Sequence, residues 1–240
     1  MKGRLGKFGI VFLALALVLS VTGAAFASWT DKVTIDGTVN TGEVNLEVVA
    51  LSSTYVYKVP TTHECIILYE LADLEGTPLR QYVTDCDYSD GTWYEYPEVW
   101  TPPGGAFVVA SSVATPGAPG ADDEVIVNAT NLFPCICFGA DILLHYDGIP
   151  ARIVDAEIDT EDEWLLDLIA NEEAGVAVFK SDEFGHLGDE IVDVLGYQLH
   201  ECDWIMVIMG VHIPQDDAYM GLSGSFTGEL EVIQWNEYPD

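Results

Sequence analysis

A recurrent period of two limits this chain more than any other feature. Val33, Ile35 and Val39 interleave with Thr34, Asp36 and Thr38. After a turn at Thr41-Gly42, Val44, Leu46 and Val48 interleave with Asn45 and Glu47. Near the other end Phe226, Leu230 and Val232 share one parity, and Thr227, Glu229 and Glu231 share the other. Successive side chains of a strand point to opposite faces, so the pattern predicts half-buried strands. Further strand-like runs occupy Tyr55 to Val59, Cys65 to Tyr69, Glu124 to Val127, Ile136 to Tyr146, Ala151 to Ile158, Ile191 to Leu199 and Ile205 to Ile213.

One segment has a helical period instead. Trp164, Leu165, Leu168 and Ile169 form an apolar stripe, and Thr160 with Glu163 has the spacing of a capping box. Glu161, Asp162 and Glu163 suit the positive end of that helix. Many short strands, Gly- and Pro-rich turns and a single helix predict a mainly all-β fold. The expected form is an antiparallel, jelly-roll-like β-sandwich with one short amphipathic helix. Residues 71–124 are less regular. Pro102-Pro103-Gly104-Gly105 and Thr115-Pro116-Gly117-Ala118-Pro119-Gly120 punctuate them, so about 52–124 reads as a loop-rich insertion in a single domain spanning 41–240.

The N-terminus carries export grammar. Lys2, Arg4 and Lys7 precede an apolar run from Phe8 to Leu19, and Ala25-Phe26-Ala27 places small residues where a signal peptidase reads them. The run is shorter than the roughly 20 residues a spanning helix needs. The expectation is a signal over 1–27, cut after Ala27 by a signal peptidase, and a secreted product at the cell surface or in a matrix, with no membrane attachment after cleavage. What remains has 213 residues with five basic residues against forty acidic ones, a formal charge of −35. Nucleic acid and anionic lipid are bound through Lys and Arg, so that field excludes both. Nearly half the residues are apolar, which separates the chain from charged disordered sequences.

Five cysteines, Cys65, Cys86, Cys135, Cys137 and Cys202, are disulfide candidates in an exported protein, and the odd number leaves at least one unpaired within the chain. His-Glu-Cys occurs at 63–65 and 200–202, but the flanks do not match and no four-ligand zinc spacing follows. No H-E-x-x-H, G-x-S-x-G or P-loop is present, and the chain is expected not to be an enzyme. Hard cations take carboxylate oxygens, and Asp85, Asp87 and Asp90 before Gly91 form the most suggestive calcium loop, although no EF-hand pattern is met.

Several stretches fall in the order of a known family. Ala27-Ser28-Trp29-Thr30-Asp31 leads into Gly37-Thr38-Val39-Asn40-Thr41-Gly42-Glu43-Val44-Asn45-Leu46. Asn131-Leu132-Phe133-Pro134, Gly148-Ile149-Pro150-Ala151-Arg152 and the closing Gln234-Trp235-Asn236-Glu237 follow. Together they resemble the TasA/camelysin-type secreted proteins. Cys135 stands where that family usually has Gly, and about 52–124 is unmatched. The resemblance implies export through a dedicated signal peptidase, a jelly-roll sandwich, and assembly into extracellular fibres of a biofilm matrix or bundling pilus. It also implies that the N-terminal segment of one subunit completes the sheet of the next. Here that arm is 28–40, with Trp29, Val33, Ile35 and Val39 as anchors. The partner is then another copy of the chain, joined head to tail. Camelysin-like members are described as proteases, but no recognisable active site carries that activity to this sequence. The alternative reading is a monomeric secreted module that binds calcium or a surface glycan.

Overall fold

The computed structural model describes residues 44–88, 90–117, 124–132, 137–219 and 221–234. The signal with Ala25 and Ala27, the arm with Trp29, Val33, Ile35 and Val39, the residues 118–123, Cys135 and Trp235-Asn236-Glu237 lie outside them.

The alternation from Val44 onward yields β1 (Val44–Lys58), which organises the sheet. One of its edges takes β2 (Cys65–Asp73), followed outward by β3 (Pro78–Asp85) and β4 (Thr92–Glu95). The other edge is shared. Val44 to Leu51 pair with β7 (Cys137–Gly148), and Ser53 to Lys58 pair with β5 (Phe107–Pro116). The sheet therefore forks beside Ser52. One arm continues from β5 through β6 (Glu124–Thr130), β12 (Gly224–Gln234), β8 (Ala151–Asp159) and β10 (Gln198–Leu199). The other runs from β7 through β11 (Asp203–His212) to β9 (Ala174–Lys180). Every pairing is antiparallel.

Two fully buried serines hold the fork. Strands that diverge cannot satisfy each other's backbone, and a buried amide left unpaired is costly. Ser52 Oγ accepts from the Asp141 amide at 2.6 Å, and Ser112 Oγ donates to the Gly139 carbonyl at 3.1 Å.

The main core draws on both arms. Val127, Ile153 and Phe226 come from one, and Ala140, Leu144, Tyr146, Ile205 and Met209 from the other. Gly228 on β12 has no room for a side chain because Met209 of β11 occupies that space, so the two arms meet there. A second, smaller cluster of Ala50, Leu71, Leu143 and Met206 lies on the opposite parity. Runs such as Ile205-Met206-Val207-Ile208-Met209 are apolar on both parities because their strands are covered on both sides. The cover on the second side is the segment after β9, where Gly185 packs on Leu71 and Met206.

Helix α1 (Glu163–Ala170) buries Leu165 and Leu168, as its stripe predicts. The capping box does not form. Asp162 is the N-cap residue and its side chain makes no cap hydrogen bond. Instead Thr160 Oγ1 donates to the Ser225 carbonyl at 2.8 Å and Asp162 Oδ2 accepts from the Ser225 amide at 2.9 Å. Both side chains are engaged by the backbone of β12, and Thr160 Oγ1 also accepts from the Asp162 amide at 3.2 Å.

Two further expectations differ from the structure. The stretch 52–124, read as loop-rich, carries the second half of β1, from Ser52, and all of β2 to β5, with Val56, Ile67, Ala110 and Ala114 in the main core. The stretch 191–199, read as a strand, is ordered mostly as loop and contributes only the short β10. Its backbone bonds locally to β8, through Gly196 N to Ile153 O and Ile153 N to Tyr197 O.

Candidate functional site

The outer face of β2, β3 and β4 is not apolar, and its register explains what it presents. Thr54, Tyr69, Tyr82 and Trp93 stand in one cross-strand row, and Ser52, Leu71, Arg80 and Glu95 in the next. The first row is an aromatic ladder. Tyr82 and Trp93 rings lie 4.8 Å apart, and Tyr69 meets Trp93 edge-on at 6.2 Å. The Arg80 guanidinium carbon sits 4.1 Å from the Trp93 ring centroid, a cation–π contact.

Residues 182–187 roof part of this face. Arg80 Nη1 donates to the Gly185 carbonyl at 2.9 Å. His186 lies between two carboxylates, with Nδ1 2.7 Å from Asp182 Oδ2 and Nε2 3.1 Å from Glu95 Oε1. Both nitrogens can donate only in the imidazolium, so these bonds raise the His186 pKa above its ordinary value. Burial alone would raise the Asp182 carboxyl, but the His186 amide and ring and the Phe184 amide together hold it below its usual range. Asp182 Oδ1 also accepts from the backbone of Phe184 and His186, which shapes the loop.

At the base of the cleft, Tyr69 donates to Asp141 Oδ2. Burial pushes the Asp141 carboxyl up to about 6, with the Tyr69 hydroxyl and the Arg80 charge pulling the other way. Burial, then the Asp141 charge, pushes the Tyr69 phenol well above its usual value. The enclosed space is about 300 Å³, bounded by Tyr69, Leu71, Arg80, Trp93, Asp141 and His186. Arg80 Nε is buried beside it with no hydrogen-bond partner.

The residues singled out by sequence lie elsewhere. Cys65 and Cys86 form a disulfide that ties β2 to the end of β3, and Cys137 and Cys202 are free and exposed. Asp85, Asp87 and Asp90 border a cleft beside that disulfide, where Asp85 Oδ1 accepts from the Asp87 amide at 3.1 Å. Among the described residues no group of three or more His, Cys, Asp or Glu is placed to hold a metal ion.

The register also sets Cys137 opposite His212, whose Nδ1 lies 2.8 Å from Glu173 Oε2. This combination could suggest a thiol nucleophile. The thiol is instead pushed up by burial and by the Glu173 charge, which leaves it protonated rather than activated.

Sequence reasoning did not find the Arg80–Trp93–Asp141 cleft. Its members come from β3, β4 and β7 and carry no local motif. A signal was available in the aromatic-rich stretch from Trp93 to Trp100, which a buried strand would not need. No known protein family, curated protein or solved structure matches this chain.

Proposed function

We propose that this chain is an exported structural subunit of an extracellular fibre, a jelly-roll-like sandwich that joins head to tail when residues 28–40 of one copy add to the sheet of the next. The observation that carries this reading is a pair of unfilled edges at one opening of the fold. Beyond Ile153, β8 has β12 on one side and, among the described residues, no strand on the other. From Ala174 to Ala177, β9 has, among the described residues, only β11 beside it. Ala156 of β8 and Val176 of β9 line one narrow apolar crevice of about 20 Å³ with Leu46, Ile142 and Leu230.

An open edge is a template for another strand, and an added strand supplies main-chain bonds while its alternate side chains fill what lies beneath. The crevice accepts side-chain tips rather than a whole strand, which favours addition at an edge. The arm has the required parity in Val33, Ile35 and Val39, with Trp29 ahead of them. A contact between an arm and a different surface does not close on itself, so it builds filaments. The resemblance to TasA/camelysin-type proteins at the start, middle and end of the sequence supports the same assembly. The charge of −35 on the secreted part opposes it, so polymerisation should require calcium or acid.

The test is negative-stain microscopy of residues 28–240 with and without millimolar calcium, beside a variant lacking 28–40. Filaments that the deletion abolishes are expected. A persistent monomer with calcium and in acid, or filaments that survive the deletion, would overturn the proposal.

A further inference from the structure

The geometry points to a second site on this chain: the cleft between Trp93, Arg80, Asp141 and His186 binds a neutral pyranose unit of a saccharide. Small-molecule pockets span roughly 300–1,000 Å³. The cleft, at about 300 Å³, therefore suits one or two sugar rings. This inference does not rest on fibre assembly, because the cleft lies over β2, β3 and β4, whereas the proposed strand acceptor is at β8 and β9.

The chemistry selects the ligand. Trp93 is 51 % exposed although Tyr82 and Arg80 brace it, so a planar apolar surface is held open to solvent beside polar groups. The flat C–H face of a pyranose lies against an indole, while its hydroxyls point outward at the ring edge. Each hydroxyl both donates and accepts, so neighbouring hydroxyls can serve the Asp141 carboxyl and the Arg80 guanidinium together. The protein supplies no acceptor for Arg80 Nε, and most buried donors have one.

Other ligand classes fit less well. An anion meets Asp141, Glu95 and Asp182 at the site and a formal charge of −32 on the chain. A cation meets the like charge of the Arg80 guanidinium in the same cleft. A purely apolar ligand would leave the buried Arg80 Nε without an acceptor, which is costly. A neutral polyhydroxylated ring with one apolar face avoids all three penalties. On an exported subunit, such a site would tether a neutral polysaccharide.

The experiment is an NMR titration of the secreted chain, read at the Trp93 indole N–H and, in every variant, at the backbone amides of Leu71, Gly185 and His186, which line the cleft. The probes are methyl glycosides and disaccharides of glucose, galactose, mannose and N-acetylglucosamine, with galacturonic acid and glucosamine as charged counterparts. At least one neutral sugar should shift the Trp93 signal with a Kd of about 1 mM, within the weak range of a single small ligand. Trp93→Ala should weaken binding at least about tenfold and Trp93→Phe much less, since a phenyl ring keeps an aromatic face. Arg80→Met should also weaken it while keeping a side chain of similar length. Circular dichroism and thermal melting identify a variant that fails to fold, and the remaining variants then decide. Three outcomes would overturn the inference: no shift with any neutral sugar, unchanged binding in folded Trp93→Ala, or tighter binding of a charged counterpart.

Discussion

Tyr69 and Asp141, on strands that meet only through β1, share a hydrogen bond in which the phenol donates to the carboxyl. The Asp141 pKa is raised from 3.8 to about 6 by burial. The fold therefore holds a proton that the unfolded chain has already released between those values. Stability contributed by this group is full below pH 3.8, falls as pH rises to about 6, and is then lost. The loss amounts to at most about 3 kcal/mol. Asp141→Asn keeps an acceptor for Tyr69 and removes the ionisation. Urea unfolding of both proteins should show the variant gaining on the wild type between pH 4 and 6 and staying ahead above it. Parallel stability curves would contradict this origin.

The His186 ring works in the same sense but in a higher pH window. Its pKa is raised by Asp182 and Glu95, so its contribution is full below the ordinary histidine value of 6.5 and fades as pH rises through the higher folded value. The 182–187 loop should loosen in that upper window. Hydrogen exchange at the amides of Gly185 and His186 should quicken as the imidazole titrates, after correction for the intrinsic rate. His186→Gln should exchange faster at low pH and lose the step.

The strands with one wet and one dry face were legible from alternation, as in β1 from Val44 to Val48 and β12 from Phe226 to Val232. The helix was legible from Leu165 and Leu168. Strand β3 was not, because Arg80 on its outer face lines a cleft while Gln81 on the other parity is also buried and polar. Gln81 accepts from the Trp100 amide at 2.7 Å and donates to Glu70, so its polarity reflects partners distant in sequence. Strand β9 was missed because Ala174 to Phe179 is apolar on both parities and gives no period. The cleft has a related difficulty: Arg80 and Trp93 meet through the β3–β4 pairing, and Asp141 joins them only through β1.

The Cys65–Cys86 disulfide closes a loop with a sequence separation of 21 residues. A loop of that size restricts the unfolded chain by about 3 kcal/mol. The double change Cys65→Ser with Cys86→Ser should lower the unfolding free energy by about that amount in guanidinium titrations. Cys137 and Cys202 are exposed and unbonded. Iodoacetamide should modify them in the folded protein with little change in melting temperature, whereas loss of the native melt on their alkylation would show that one of them is structural.

The last expectation separates the sheet clamp from the helix cap. Thr160 and Asp162 bond the carbonyl and amide of Ser225, and Glu163 makes no reciprocal cap bond. Thr160 is nearly buried, so Thr160→Val leaves the Ser225 carbonyl without its hydroxyl partner in a space that keeps its shape. A loss of about 1–3 kcal/mol follows from an unsatisfied buried group. Asp162→Ala removes the partner of the Ser225 amide and should cost about 1 kcal/mol. Glu163→Gln should change stability by less than about 0.5 kcal/mol, as an exposed substitution away from a bonded network does. A capping box would give the reverse emphasis, with Glu163 felt in the unfolding free energy. The amide exchange of Ser225 distinguishes the two as well: it should quicken in Asp162→Ala and stay slow in Glu163→Gln.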